Sequence, residues 1–284
     1  MTGGSPHPPR VCVIGWPATH SRSPLIHRFW LEELKIAGSY ELAAVPPGEF
    51  DRFIANLAEA GYKGANVTLP HKRRAFELCA GTTGTARRLG AVNTLWLEEG
   101  RLRGDNTDVT GFLAALDQDA PGWDTAGGKA VILGAGGAAR AILFGLLSRG
   151  IEEIILVNRT VERAAALAGD FGPQARAVDF SCLPEALNGA NLLINTTSLG
   201  MQGQPPLVID LSPLPEGAVV NDIVYVPVET ALLKAAAARG LRTVPGVGML
   251  LHQAVPGFER WFGVKPGVTA ELRRLVEADI SSGR

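Results

Sequence analysis

The stretch KAVILGAGGAARAILFGLLSRG, residues 129–150, decides the fold. After Lys129 it opens on a short apolar run, the pattern of a strand buried on both faces. Glycines follow at 134, 136 and 137, then an apolar run of helical length that Gly150 ends. Gly134-Ala135-Gly136-Gly137-Ala138-Ala139 is therefore a GxGxxA turn set between a strand and a helix. In that setting Gly134 permits the tight turn, Gly136 lets backbone approach a pyrophosphate, and Ala139 keeps helix and sheet close. The first amides of the helix favour an anion. The reading is a dinucleotide site rather than glycines that only tighten a turn.

Downstream, "IEEIILVNRT" reads as the next strand and "VERAAALAG" as the next helix. Strands are expected at "ARAVD", "NLLINTTS" and "AVVNDIVY", and a helix at "ETALLKAAAARG". This is a doubly wound, Rossmann-type layout. A site specific for NAD carries Asp or Glu about 20 residues past the glycines. Here the strand ends in Asn158-Arg159-Thr160, with Arg163 one turn on. Two guanidiniums and a hydroxyl suit a 2′-phosphate, so the cofactor expected is NADP. A solvated arginine pair at a helix start is the plainer alternative.

Upstream, strands and helices alternate from "VCVIG" through "GANV", which implies a mainly parallel sheet. "PLIHRFWLEELKIAG" reads as one helix stopped by Gly38, and "EFDRFIANLAEAG" as another. "AVNTLWLEEGRLRGDNTD" reads as two strands around a turn. The last segment holds "GMLLHQAVPGFERWFG" and "TAELRRLVEADI", read as two helices that either cap the second sheet or return to the first domain. The fold class is thus α/β, with two α/β domains in 284 residues.

Composition excludes several classes. Hydrophobic residues make up 46%, charged residues 19%, and net charge is −1, so no field recruits nucleic acid or an anionic membrane. Cys12, Cys79 and Cys182 lack CxxC spacing and read as reduced thiols of a cytoplasmic protein. The five histidines form no metal-binding pattern. No apolar run reaches the ~18 residues that span a bilayer. The Gly/Pro/Ser-rich start "MTGGSPHPPR" reads as a loose leader, not a signal peptide.

Taken in order, the motifs resemble the shikimate dehydrogenase family over nearly the whole chain. "GWPATHSRSPLIH" (15–27), "GANVTLPHK" (64–72), "GAVNT" (90–94) and "GDNTD" (104–108) precede "GAGGAAR", "NRT", "NTTSLGM", "NDIVY" and "GVGMLLHQA". One departure is Arg28, where the family signature usually has Asn. The resemblance implies a substrate domain over 1–110, completed by returning C-terminal helices over 247–284, and an NADP-binding domain over 111–246. It implies reversible reduction of 3-dehydroshikimate to shikimate with NADPH, a step toward chorismate and the aromatic amino acids.

Shikimate is a carboxylate with three hydroxyls. Ser21 and Ser23, just before Pro24 and a helix, suit the carboxylate, although serine there also serves as an ordinary N-cap. The resemblance favours carboxylate binding, and shikimate over quinate. It assigns Asn66, Thr68, Asn93 and Asp108 to the hydroxyls and brings Gln253 back to the substrate. Asn106 reads as turn chemistry instead. Tyr225 is expected where substrate meets nicotinamide, with aromatic packing as its competitor. Thr196, Ser198, Ile223, Gly246, Gly248 and Met249 complete the expected cofactor side, Met249 equally readable as packing.

The run Lys72-Arg73-Arg74 reads as a solvated basic patch on composition alone. The resemblance assigns Lys72 to catalysis with Asp108 as its partner: Lys72 supplies the proton in the reduction direction and stabilises the developing charge. Rival readings are a quinate/shikimate dehydrogenase of broader substrate or NAD use, and a catalytically silent NADP-binding regulator. Oligomeric state is left between monomer and homodimer.

Overall fold

The computed structural model describes residues 8–125 and 128–283. The loose leader lies, through residue 7, outside the described residues; Arg10 already belongs to the first strand. By its contacts the chain divides into two compact units. One runs through Thr107 and adds Gln253–Val276; the other comprises Asp108–His252 and Glu277–Gly283.

In the first unit, β1 (Arg10–Gly15), β2 (Ser39–Ala44), β3 (Tyr62–Val67), β4 (Gly81–Thr82), β5 (Thr94–Glu98) and β6 (Arg101–Asp105) form one sheet in the order β2-β1-β3-β5-β6-β4. The β1–β2, β1–β3 and β4–β6 pairs are parallel; β3–β5 and the β5–β6 hairpin are antiparallel. The hairpin turns through Glu99 and Gly100, both at positive φ. Side chains alternate between faces as strand geometry requires. Cys12 and Ile14 join a core with Phe50, Val67 and Leu95, while Val11 and Val13 face Tyr40 and Trp261. Helices α1 (Ser23–Glu33), α2 (Phe50–Ala55), α3 (Lys72–Leu78) and α4 (Gly84–Leu89) lie between the strands in sequence. The first ends earlier than Gly38, because Lys35 turns left-handed at φ 54° and Ile36 N–H closes on the Leu31 carbonyl.

The second unit begins with α5 (Asp108–Asp119). Strands β7 (Lys129–Leu133), β8 (Glu153–Val157), β9 (Ala175–Val178), β10 (Leu192–Asn195), β11 (Val219–Asp222) and β12 (Arg242–Pro245) pair in parallel, in the order β12-β11-β10-β7-β8-β9. That is the doubly wound order, whose direction reverses between β7 and β10. Ala130, Ile132, Ile154, Leu156 and Leu192 feed the core on one face; Val131, Leu133, Ile155, Val157 and Leu193 feed the other. Both faces are covered, which is why these strands read as unbroken apolar runs. Helices α6 (Gly137–Ser148), α7 (Val161–Gly169), α8 (Leu183–Leu187) and α9 (Ala231–Ala238) connect them.

The C-terminal segment holds three helices rather than two: α10 (Gly246–His252), α11 (Val255–Phe262) and α12 (Ala270–Ser281). Pro256 in the first turn of α11 has no amide to continue α10, and the chain turns at Gln253–Ala254. Within the first unit, α11 packs on β3 and β5, where Trp261 Nε1 donates to the Leu95 carbonyl at 2.8 Å. Trp30 Nε1 donates to the Gly267 carbonyl at 2.9 Å. Among the described residues no helix is long and apolar enough to cross a membrane.

Candidate active site

In the first unit, the end of β3, the start of β5 and the loop after β6 bring two of the expected substrate-side residues, Asn66 and Asn93, together in a buried hydrogen-bonded chain that also reaches the Gln253 carbonyl. Asn66, near the end of β3, is 5% exposed. Its Oδ1 accepts from the Tyr40 hydroxyl at 2.5 Å, and its Nδ2 donates to the Asn93 carbonyl at 3.1 Å and to Thr94 Oγ1 at 3.3 Å. Asn93 Oδ1 accepts from Thr107 N–H at 2.8 Å and from the Thr94 hydroxyl at 3.0 Å. The Thr107 hydroxyl donates to the Gln253 carbonyl at 2.8 Å. Gln253 itself sits in the turn between α10 and α11, not on a helix. Asn106 N–H donates to Asp105 Oδ1 at 2.7 Å, and its Nδ2 donates to the Ala91 carbonyl at 3.1 Å, so its side chain ties this loop to the segment before β5 rather than to its own turn.

Lys72 opens α3. His71 before it is buried, stacked on Phe50 with centroids 4.4 Å apart, and its Nε2 meets the Val45 carbonyl at 2.8 Å. Lys72 O accepts from Val92 N–H at 2.8 Å, so the start of this short helix is pinned on both sides. The Lys72 side chain is half-buried, whereas Arg73 and Arg74 are exposed and pair with Glu77, Arg74 also with Asp51. The three-charge run therefore splits into a half-buried lysine and two solvated arginines. Thr68 turns the chain there: its N–H donates to the Ile14 carbonyl and its carbonyl accepts from His71 N–H.

Neither serine is the N-cap residue of α1. That position is Arg22, with no side-chain cap; Ser23 is the first helical residue, and Ser21 Oγ accepts from Ser23 N–H at 3.3 Å. Arg28 is exposed, so the departure from the signature falls on the helix surface. His27 beside it is fully buried. It stacks on Tyr40 with centroids 3.9 Å apart and planes 4° apart, against Trp30, Phe258 and Trp261. Its ring nitrogens lie near the Asn66 amide without reaching hydrogen-bond geometry. Burial pushes its pKa down to about 3, against a smaller upward pull from Asn66.

In the second unit, the glycine turn lies at the end of β7, where the strand order reverses. Gly134 is left-handed at φ 109°, and a Cβ there would lie 2.6 Å from Thr196 Oγ1. Thr196 holds that approach by donating to the Leu133 carbonyl at 2.7 Å. Gly136 and Gly137, by contrast, are exposed, and nothing lies within 4 Å of where a Cβ would stand. Gly136 caps the 12-residue helix α6 without a side-chain hydrogen bond, which leaves its first amides open. Ala135, Gly136, Gly137, Arg140 and Arg163 line a depression of about 430 Å³, whose far side is Asp170 paired with Arg140. Ala138 is half-buried behind the turn.

At the end of β8, Asn158 Nδ2 donates to the Thr160 carbonyl at 2.8 Å and shapes the turn into α7. Arg159 and Arg163 are exposed, and no carboxylate of the described residues pairs with either. Open helix amides, a backbone a pyrophosphate can reach and two uncommitted guanidiniums fit a dinucleotide carrying an extra phosphate.

Ser198 is exposed; Ile223 and Met249 are half-buried and pack on the core; Gly248 is buried in α10; Gly246 lies against the Ile223 carbonyl. Tyr225 is half-buried in the loop after β11. That loop hangs on Asp222, fully buried, which accepts from Asn195 Nδ2, Val224 N–H and the Thr230 hydroxyl. Burial raises its carboxyl pKa, less the effect of those three donors. Sequence reasoning missed Tyr40, Thr94, Thr107 and Asp222 as members of these networks.

The chain is similar to known proteins along most of its length. Residues 13–95 match the shikimate dehydrogenase substrate binding domain, 116–202 match shikimate / quinate 5-dehydrogenase, and 246–271 match the shikimate 5'-dehydrogenase C-terminal domain. A shikimate dehydrogenase (NADP(+)) of Methylocella silvestris is 61% identical over 96% of this chain and 97% of its own. The structure of a Thermus thermophilus shikimate 5-dehydrogenase in complex with NADP(H) and shikimate is similar at TM-score 0.84 and 37% identity, covering 96% of this chain and 99% of that one. A Corynebacterium glutamicum quinate dehydrogenase in complex with NAD is similar at TM-score 0.88 and 29% identity, over 96% and 99% of the two chains. Fold likeness thus spans two substrates and two cofactors, and the side chains must decide between them.

Proposed function

The chain belongs to the shikimate dehydrogenase family, and on that premise we propose that it reversibly reduces 3-dehydroshikimate to shikimate with NADP as its cofactor, through Lys72 and Asp108. The observation that carries this reading is how the main chain at both residues is held. Val92 N–H fixes the Lys72 carbonyl, and the adjoining Asn93 side chain fixes Thr107, the residue before Asp108. One two-residue segment thus anchors the start of the lysine's helix and the end of the strand leading to the aspartate.

NADPH, when bound, supplies the hydride. Gly136, the first amides of α6, and Arg159 with Arg163 would hold its phosphates. Lys72 places an ammonium at the ketone oxygen, stabilises the negative charge that builds there and gives up the proton. Asp108 accepts from a neighbouring hydroxyl of the substrate and orients the lysine. Ser21 and Ser23 hold the carboxylate, Asn66, Thr68 and Asn93 line the hydroxyl side, and Gln253 and Tyr225 close the substrate end. The unpaired Cys12, Cys79 and Cys182 support a cytoplasmic setting.

The test is steady-state turnover of shikimate and of quinate, each with NADP and with NAD. Shikimate with NADP should give the highest kcat/KM; activity confined to quinate or NAD would reject the reading. Lys72→Ala should lower kcat by about 10³-fold while KM for 3-dehydroshikimate moves little. A rise in KM alone would assign the lysine to binding.

A further inference from the structure

Tyr40 has no role in the mechanism above, yet it is the only side chain hydrogen-bonded to Asn66 from the β2 side of the sheet among the described contacts. It is 1% exposed, one ring face lies on His27, and it sits on the edge strand β2. The direction of each hydrogen bond around it can be deduced. The Asn93 carbonyl only accepts, so the Asn66 NH₂ must face it. Asn66 Oδ1 then faces Tyr40 and only accepts, so the phenol proton must point at Asn66.

We propose that Tyr40 is a positioning residue for substrate binding, its phenol setting the Asn66 amide. The donated phenol proton holds Asn66 in one amide orientation, with its NH₂ on the Asn93 carbonyl and Thr94, so Asn93, Thr94 and Thr107 stay in their bonded order. This inference rests on the substrate side proposed above.

Tyr40→Phe removes the oxygen and keeps the ring on His27. The expected result is a rise in KM for shikimate of about fivefold to twentyfold, with KM for NADP within twofold and kcat lowered less than threefold. Thr94→Val, which breaks the next link and leaves the aromatic stack alone, should show the same split at smaller size. Ile54→Ala, a change in the core cluster on the other sheet face away from Tyr40, should lower Tm and leave KM for shikimate unchanged. The proposal is overturned if Tyr40→Phe lowers Tm without moving KM, or if Ile54→Ala raises KM as much. Should Tyr40→Phe not fold, Thr94→Val with unchanged KM overturns it. Lack of shikimate turnover by the unaltered protein would instead remove the proposed function; an active parent with an unmoved variant removes only this inference.

Discussion

The two units present their polar groups in opposite ways. On the proposed substrate side, Asn66, Asn93, Thr94 and Thr107 are almost fully buried and bonded to one another. On the proposed cofactor side stand an exposed glycine turn, an uncapped helix start and two arginines without carboxylate partners. A buried network gains precision but ties recognition to folding, because each lost bond leaves a desolvated partner, at a cost of about 1–3 kcal/mol. An open backbone cradle with free guanidiniums pays nothing in stability when its side chains change. Changes in the first unit should therefore move affinity and stability together, and changes in the second should separate them.

The largest separation is expected at the arginine pair. Arg159→Ser with Arg163→Ala should weaken NADP by at least about 100-fold, since two charged hydrogen bonds of about 1.5 kcal/mol or more each are lost. Affinity for NAD should change less than threefold and Tm by under 1 °C, read by calorimetric titration and thermal melts. Equal losses for NADP and NAD would mean that these side chains hold something other than the extra phosphate.

Within the glycine turn the same contrast can be narrowed to two residues two positions apart. Gly134→Ala puts a Cβ on a left-handed backbone and against the Thr196 hydroxyl, 2.6 Å away. It should cost about 2–3 kcal/mol of stability. Gly136→Ala meets nothing in the protein. Its melt should be unchanged while dinucleotide affinity falls, because the methyl occupies the pyrophosphate's approach. A stable Gly134→Ala protein would show that this turn can relax and that the first glycine is not structurally required.

What the sequence revealed follows the same division. The dinucleotide turn was legible because its requirements are local: a strand, a left-handed glycine, a second glycine open to solvent, and a helix, all within one short segment. Arg159 and Arg163 stand out in the sequence because a carboxylate is missing where one would be diagnostic, and in the structure both are exposed with no carboxylate partner among the described residues. The substrate network was not, since Tyr40 lies 26 residues from Asn66 and reads as an ordinary strand aromatic until β1 and β3 bring them together. Thr94 and Thr107 fell inside quoted motifs but gained meaning only from the β5–β6 hairpin. Strand β12, "RTVP", was passed over because a four-residue edge strand containing Pro carries no run of apolar residues. The break between α10 and α11 was hidden by an apolar pattern that runs through Gln253 and Ala254.

The smallest effect, and the one that sets the units apart without any ligand, is their response to acid. His27 in the first unit stays neutral down to about pH 3, against an ordinary value of 6.5. The unfolded chain takes up that proton below pH 6.5 and the folded chain does not, so the stability from a neutral His27 is complete above 6.5 and is lost as pH falls toward 3. At pH 5 the loss is about 2 kcal/mol. Asp222 in the second unit acts in the opposite sense. Its raised carboxyl binds a proton more readily when folded, so that unit gains relative stability as pH falls through the folded value. Four tryptophans, Trp16, Trp30, Trp96 and Trp261, belong to the first unit and only Trp123 to the second, so tryptophan fluorescence follows mainly the substrate side. Urea unfolding read that way at pH 7 and pH 5 should show the loss, and His27→Phe, which keeps a ring against Tyr40, should remove most of it. An acid response that is the same in parent and variant would mean that His27 is protonated within the fold, and that the aromatic cluster around it is wetter than its burial implies.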